Sequence, residues 1–123
     1  FNTARWVFLN SGQFKNLMLN GVHMHIGSQI VDSRPFVSAI GRARDFVVSL
    51  KNLGVKIEYL NIGGGLGIIY KNEDPQTAED YARAIIPILK DIRLKIILEP
   101  GRFIVGNAGI LVTRVLYLKK TKA

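Results

Sequence analysis

Apolar positions along the chain follow two rhythms, one close to two residues and one close to four, and they take turns. Gly21 to Ile26 is a short β-rich run closed by Gly27, which predicts a strand and then a turn. After the capping residues Asp32 and Ser33, Pro35 opens a stretch with apolar side chains at Phe36, Ile40, Ala43, Phe46, Val47, Leu50 and Leu53. That spacing predicts a helix with one buried face, and Gly54 stands where a helix-ending glycine belongs. Val55 to Ile62 alternates as a strand does and stops at three successive glycines. Thr77 and Asp80 resemble a capping box with Asp in place of Glu. They introduce a second helix through Tyr81, Ile85, Ile86, Ile88 and Leu89, which Pro87 is expected to kink or split. Leu94 to Leu98 predicts a third buried strand, ended by Pro100 and Gly101. Gly109 to Lys119 reads as a longer strand, and Phe14 to Leu19 as a short helix in an otherwise irregular start.

The order strand, helix, strand, helix, strand predicts an α/β fold with parallel strands joined by right-handed crossovers. Three parallel strands cannot close a barrel, and as an open sheet they leave edges exposed. The first residue is Phe rather than Met, so the sequence is expected to begin inside a longer chain.

Composition narrows the class without changing this picture. A chain of 123 residues with 48% hydrophobic and 21% charged residues is globular rather than disordered. Cysteine is absent, which excludes a disulfide framework, a thiolate nucleophile and a sulfur-ligated zinc site, and fits a cytoplasmic protein. The apolar runs fall far short of the roughly 20 residues a membrane helix needs, so no membrane partner is expected. The net charge of +8 raises the question of a polyanion. The basic residues are spread along the chain, densest at Lys119, Lys120 and Lys122, and no nucleic-acid-binding signature accompanies them. A solvated surface is therefore expected, with no nucleic-acid partner.

Chemistry concentrates where the predicted strands stop. His25-Ile26-Gly27-Ser28-Gln29, Gly63-Gly64-Gly65 and Glu99-Pro100-Gly101-Arg102 each follow a strand, and their separations suit one strand-helix unit apiece. Ligands of α/β folds gather at the carboxyl ends of strands, so all three clusters should face one rim. A glycine triplet can bring bare backbone N–H groups to an anion, or can simply turn the chain. Glu99 could serve as a general base, a metal ligand, a partner for a protonated ring nitrogen, or one half of a salt bridge with Arg102. His25 could ligate, exchange a proton, or offer a flat ring for stacking, and His23 points the same way by strand alternation. No second carboxylate lies nearby in sequence, so no metal site is expected.

Three segments together resemble one family. Val22-His23-Met24-His25-Ile26-Gly27-Ser28-Gln29, Asn61-Ile62-Gly63-Gly64-Gly65-Leu66-Gly67 and Glu99 through Gly109 are similar to diaminopimelate decarboxylases, alanine-racemase-like enzymes that use pyridoxal 5′-phosphate. The resemblance runs from about Gly21 to Lys120 and leaves Phe1 to Asn20 uncovered. It implies the C-terminal part of a (β/α)8 TIM barrel over residues 1–108 and the start of a C-terminal β-domain over residues 109–123. It further implies that His25 stacks on the cofactor ring, and that Ser28 and the backbone of Gly63, Gly64 and Gly65 hold its phosphate. Glu99 would take the pyridine nitrogen. Gly101 and Arg102 would close the phosphate site, with Arg102 also meeting the carboxylate of a small amino-acid substrate. The implied reaction is decarboxylation of meso-diaminopimelate to L-lysine by a homodimer.

The sequence departs from that family in one respect that bears on activity. The lysine that anchors the cofactor has no counterpart, since none of Lys15, Lys51, Lys56, Lys71, Lys90 or Lys95 sits at the carboxyl end of a predicted strand. No catalytic residue is therefore assigned, and the 123-residue chain alone is expected to be inactive. Rival readings change the substrate to ornithine, arginine or carboxynorspermidine, make the chain a non-catalytic regulatory homologue, or make it a sugar-phosphate barrel with a coincidental glycine triplet.

Overall fold

The computed structural model of the chain describes residues 1–120. Lys122 and the end of the expected 109–123 unit lie outside the described residues. Helix α1 spans Asn2–Leu9 and a single 3-10 turn follows at Ser11–Gln13. Three strands, β1 (Gly21–His23), β2 (Tyr59–Asn61) and β3 (Lys95–Ile97), alternate with the helices α2 (Ser33–Asn52) and α3 (Ala78–Leu89). A short helix, α4, covers Gly101–Val105.

The strands form one parallel sheet in the order β1-β2-β3. Its register aligns Val22, Leu60 and Ile96 in one row and His23, Asn61 and Ile97 in the next. Side chains alternate between the faces of a strand, so these two rows point opposite ways. The first row joins the core: Leu60 is wholly buried, and Val22 and Ile96 pack against the same cluster. The second row faces away from the helices, and this is the face on which the site is built.

Helix α2 begins where sequence places it, on an Asp32 side chain that accepts the N–H of Arg34 at 2.7 Å. Its apolar stripe of Phe36, Ile40, Ala43, Phe46, Val47 and Leu50 is buried as expected, each large side chain contributing about 1.5–3 kcal/mol. Leu53 is an exception, since it is the C-cap residue and half exposed. Helix α3 carries the full capping box: Thr77 Oγ1 accepts from the Asp80 N–H at 3.1 Å, and Asp80 accepts from the Thr77 N–H at 3.3 Å. The two helices meet through Phe36 and Tyr81, whose rings stand edge to face at 4.9 Å.

Several local expectations are corrected. The N-terminal helix lies at Asn2–Leu9, not over Phe14 to Leu19, because Phe8 packs against the core beside Phe46 while Leu17 and Met18 face outward. Pro87 sits inside α3 without splitting it. It stands two residues from the helix end, so its missing N–H removes one bond near a terminus. The strands are shorter than the apolar runs that announced them, since Val55 and Ile57 pack into the core ahead of the hydrogen-bonded ladder. Gly109 to Lys119 forms no strand among the described residues and is exposed throughout. A strand requires a neighbour for its N–H and C=O groups, and none lies beside this run among the described residues.

Candidate functional site at the strand ends

The three clusters meet at one rim. Past the end of β1 the Met24 N–H donates to the Asn61 carbonyl at 3.0 Å, and past β2 the Ile62 N–H donates to the Ile97 carbonyl at 3.0 Å. The Glu99 N–H then donates to the Gly63 carbonyl at 2.8 Å. These bonds extend the parallel ladder beyond the regular strands and draw His25, Gly63 and Glu99 together.

Close approach of the strand ends, rather than a simple turn, explains the glycines. A methyl group at Gly64 would overlap the Glu99 carbonyl oxygen and stand 2.7 Å from its carbon. At Gly63, where φ is +71°, a side chain would overlap the Met24 carbonyl and press on the His25 ring at 3.1 Å. Backbone therefore lies directly on backbone across all three strands.

Each chemically distinct side chain now has a place. Glu99 is half exposed, with its carboxylate on the face opposite the helices. Its Oε1 accepts from Asn61 Nδ2 at 2.6 Å, while Oε2 stands 3.7 Å from His23 Nε2. The exposed His25 ring accepts a long hydrogen bond from the Gly64 N–H at Nδ1, 3.4 Å away. In the neutral imidazole that bond leaves the ring proton on Nε2. Ser28 is exposed in the loop after β1. Arg102 lies in α4 with its guanidinium 5.8 Å over the Tyr70 ring, and it makes no ion pair with Glu99 among the described residues.

Two participants were not identified from sequence. Asn61 joins the glycine turn to the carboxylate, because its Oδ1 also accepts the Gly63 N–H at 2.8 Å. Gln29 uses its side-chain amide as a strand would use its backbone: Nε2 donates to the Ile68 carbonyl at 2.6 Å and Oε1 accepts the Ile68 N–H at 3.2 Å. Gln29 holds a positive φ of 58°, a conformation uncommon outside glycine and costing about 1–3 kcal/mol. The paired bonds to Ile68 fix the loop in spite of that cost. Strand register would have pointed to Asn61, which lies beside His23 across the sheet; Gln29 leaves no comparable signal.

Three of the lysines lie elsewhere. Lys56 pairs with Glu58 at 3.2 Å, Lys95 rests over Tyr59 at 5.2 Å, and Lys51 donates to the Ile92 carbonyl at 3.0 Å. All three interactions are at the amino ends of β2 and β3, opposite the rim.

An exposed imidazole, a held carboxylate with one oxygen free of short hydrogen bonds, and a turn of bare backbone suit a flat ligand with a basic ring nitrogen at one end and an anion at the other. The fold and rim thus define an α/β domain whose polar groups gather at the carboxyl ends of parallel strands. The chain belongs to the pyridoxal-dependent decarboxylases: the family described as "Pyridoxal-dependent decarboxylase, pyridoxal binding domain" matches residues 2–106. The match includes all but the first residue of the segment before Asn20, which the three motifs had left uncovered.

Among curated relatives, the diaminopimelate decarboxylase of Aquifex aeolicus is 48% identical over 110 residues, covering 89% of this chain and 26% of that protein. The Haemophilus influenzae enzyme of the same name is 42% identical over 123 residues, covering 99% of this chain and 30% of that protein. The chain thus spans less than a third of these relatives. A crystal structure of diaminopimelate decarboxylase from Helicobacter pylori complexed with L-lysine superposes with a TM-score of 0.85 at 39% identity, covering 97% of this chain and 30% of that one. The α/β expectation with parallel strands therefore holds, as does the assignment of the cofactor class.

Proposed function

We propose that this segment holds pyridoxal 5′-phosphate by its ring nitrogen and its phosphate within an enzyme that decarboxylates meso-2,6-diaminopimelate to L-lysine. The observation that carries the reading is the convergence of Glu99, His25 and the Gly63–Gly65 turn on one face at the carboxyl ends of three parallel strands. When bound, pyridoxal phosphate supplies an electron sink for the pair left behind as carbon dioxide departs.

The residues of this chain do the holding. Glu99 would accept the pyridinium N–H and so keep that nitrogen protonated; its carboxylate is held by Asn61 before any ligand arrives. His25 presents its ring face for stacking. Ser28, the backbone of Gly63, Gly64 and Gly65, and Gly101 with Arg102 would hold the phosphate. Arg102 also offers a planar fork to a substrate carboxylate, and its position over Tyr70 leaves the guanidinium on the surface side of the rim. The lysine amine that would anchor the cofactor covalently is not assigned to any residue of this chain.

At the scale of the whole protein, residues 1–108 form part of the barrel and residues 109–123 start a C-terminal β-domain. Among the described residues regular structure ends at Val105, which supports a boundary near residue 108. A cytoplasmic homodimer acting on a small amino acid is the reading for the complete enzyme, and the L-lysine bound in the Helicobacter pylori relative supports the amino-acid part of it.

Steady-state decarboxylation by the full-length protein tests the substrate. With pyridoxal phosphate present, meso-diaminopimelate is expected to yield L-lysine at a kcat/KM at least about 100-fold above ornithine, arginine or carboxynorspermidine, as a site built to pair a polar group discriminates. Preference for any of the other three would overturn the assignment. The 123-residue chain assayed alone is expected to give no lysine.

A further inference from the structure

We infer that Asn61 is the positioning residue of this site, acting on the cofactor through Glu99; the inference rests on the cofactor reading above. Asn61 ends β2, in the row with His23 and Ile97 that faces away from the helices. Its amide is used at both ends. Oδ1 accepts the Gly63 N–H at 2.8 Å, so the side chain is anchored by the backbone two residues ahead. Nδ2 donates to Glu99 Oε1 at 2.6 Å.

The polarity of these bonds dictates what each end does. Bonded to a backbone donor, Oδ1 fixes which way the amide faces, and the NH2 group is then aimed at the carboxylate. A charge-assisted bond to one carboxylate oxygen is short and directional. It occupies Oε1 and leaves Oε2 to receive the ring N–H. His23 Nε2, at 3.7 Å from Oε2, is too distant to take that oxygen by a hydrogen bond. Glu99 is half exposed and no other side chain donates to it among the described residues, so without Asn61 its rotamer would be free. One amide therefore ties the turn at the phosphate end of the site to the carboxylate at the ring-nitrogen end.

Aspartate at this position separates the two roles. Asn61→Asp keeps an acceptor for the Gly63 N–H but removes the donor to Glu99 and sets a like charge beside it. The test is titration of cofactor-free full-length protein with pyridoxal phosphate, read by absorbance, for the parent, N61D, N61A, E99A and N61D/E99A. N61D is expected to bind about tenfold more weakly or worse, the scale of a lost hydrogen bond to a charged group. Its bound-cofactor absorption band is expected to move in the same direction as that of E99A, since both report the ring nitrogen. In the E99A background, N61D is expected to change affinity by less than about twofold, because its effect passes through Glu99. Parent-like binding and spectrum in N61D would overturn the inference, as would a full N61D penalty in the E99A background. If instead E99A leaves affinity and spectrum at parent values, the cofactor reading itself fails. Should N61A not fold, N61D remains decisive.

Discussion

At Gly64 the chain has no room for a single added carbon, because the Glu99 carbonyl occupies the place a methyl would take. Gly64→Ala must push β2 and the segment after β3 apart and with them the carboxylate. It is expected to lower stability by about 1–3 kcal/mol, the usual cost of overpacking, and to weaken cofactor binding. Gly41 is the opposite case: it lies inside α2 and a methyl there would meet nothing within 4 Å. Gly41→Ala is expected to stabilise by about 0.5–1 kcal/mol through helix propensity alone. Urea denaturation of both variants checks the pair, and a neutral Gly64→Ala would contradict the packing described here. Residue types alone marked His25, the glycine triplet and Glu99, because a histidine, a glycine run and a carboxylate at strand ends are chemically conspicuous. Asn61 is a common polar residue in the middle of a segment already read as strand. Its part emerges only once the register sets it between His23 and Ile97.

Both long helices have an aspartate in their N-terminal capping arrangement, Asp32 as the cap of α2 and Asp80 in the capping box of α3, and both carboxyls are held below their ordinary range. Hydrogen bonds from the Arg34 side chain and backbone lower Asp32, and the Thr77 hydroxyl and N–H lower Asp80, with Arg83 assisting. A carboxyl whose pKa is depressed on folding stabilises the fold above its unfolded value and loses that contribution as pH falls through the folded one. The caps should therefore be intact above pH 3.8, the ordinary aspartate value, and fail progressively below it. Far-ultraviolet circular dichroism against pH is expected to show helix loss beginning below that point, and Asp80→Asn is expected to flatten the part that belongs to α3. An unchanged profile in Asp80→Asn would contradict the role of this cap. These starts were legible in sequence because capping is local: Thr77 and Asp80 carry the whole signal. Strand lengths were not legible, since pairing depends on a neighbour. The apolar run from Gly109 to Lys119 has the composition of a strand and no partner among the described residues.

Across the molecule, one face of a three-stranded parallel sheet is sealed by α2 and α3 while the other carries His23, Asn61 and Glu99. β1 and β3 each pair on one side only, and α3 with β3 border an apolar groove of about 560 Å³ that includes Ile86, Leu89 and Phe103. This geometry matches a segment spanning 26–30% of its decarboxylase relatives. Legibility at this scale came from motif order: three clusters, each following a strand, required one rim wherever the strands ran parallel. On the proposed function, this rim grips the cofactor at both ends. A crystal structure of the full-length protein with pyridoxal 5′-phosphate measures it directly. The pyridine nitrogen is expected within about 2.7–2.9 Å of a Glu99 carboxylate oxygen, with the ring against His25 and the phosphate at the Gly63–Gly65 turn. A pyridine nitrogen turned away from Glu99, or a phosphate bound outside the rim, would contradict it.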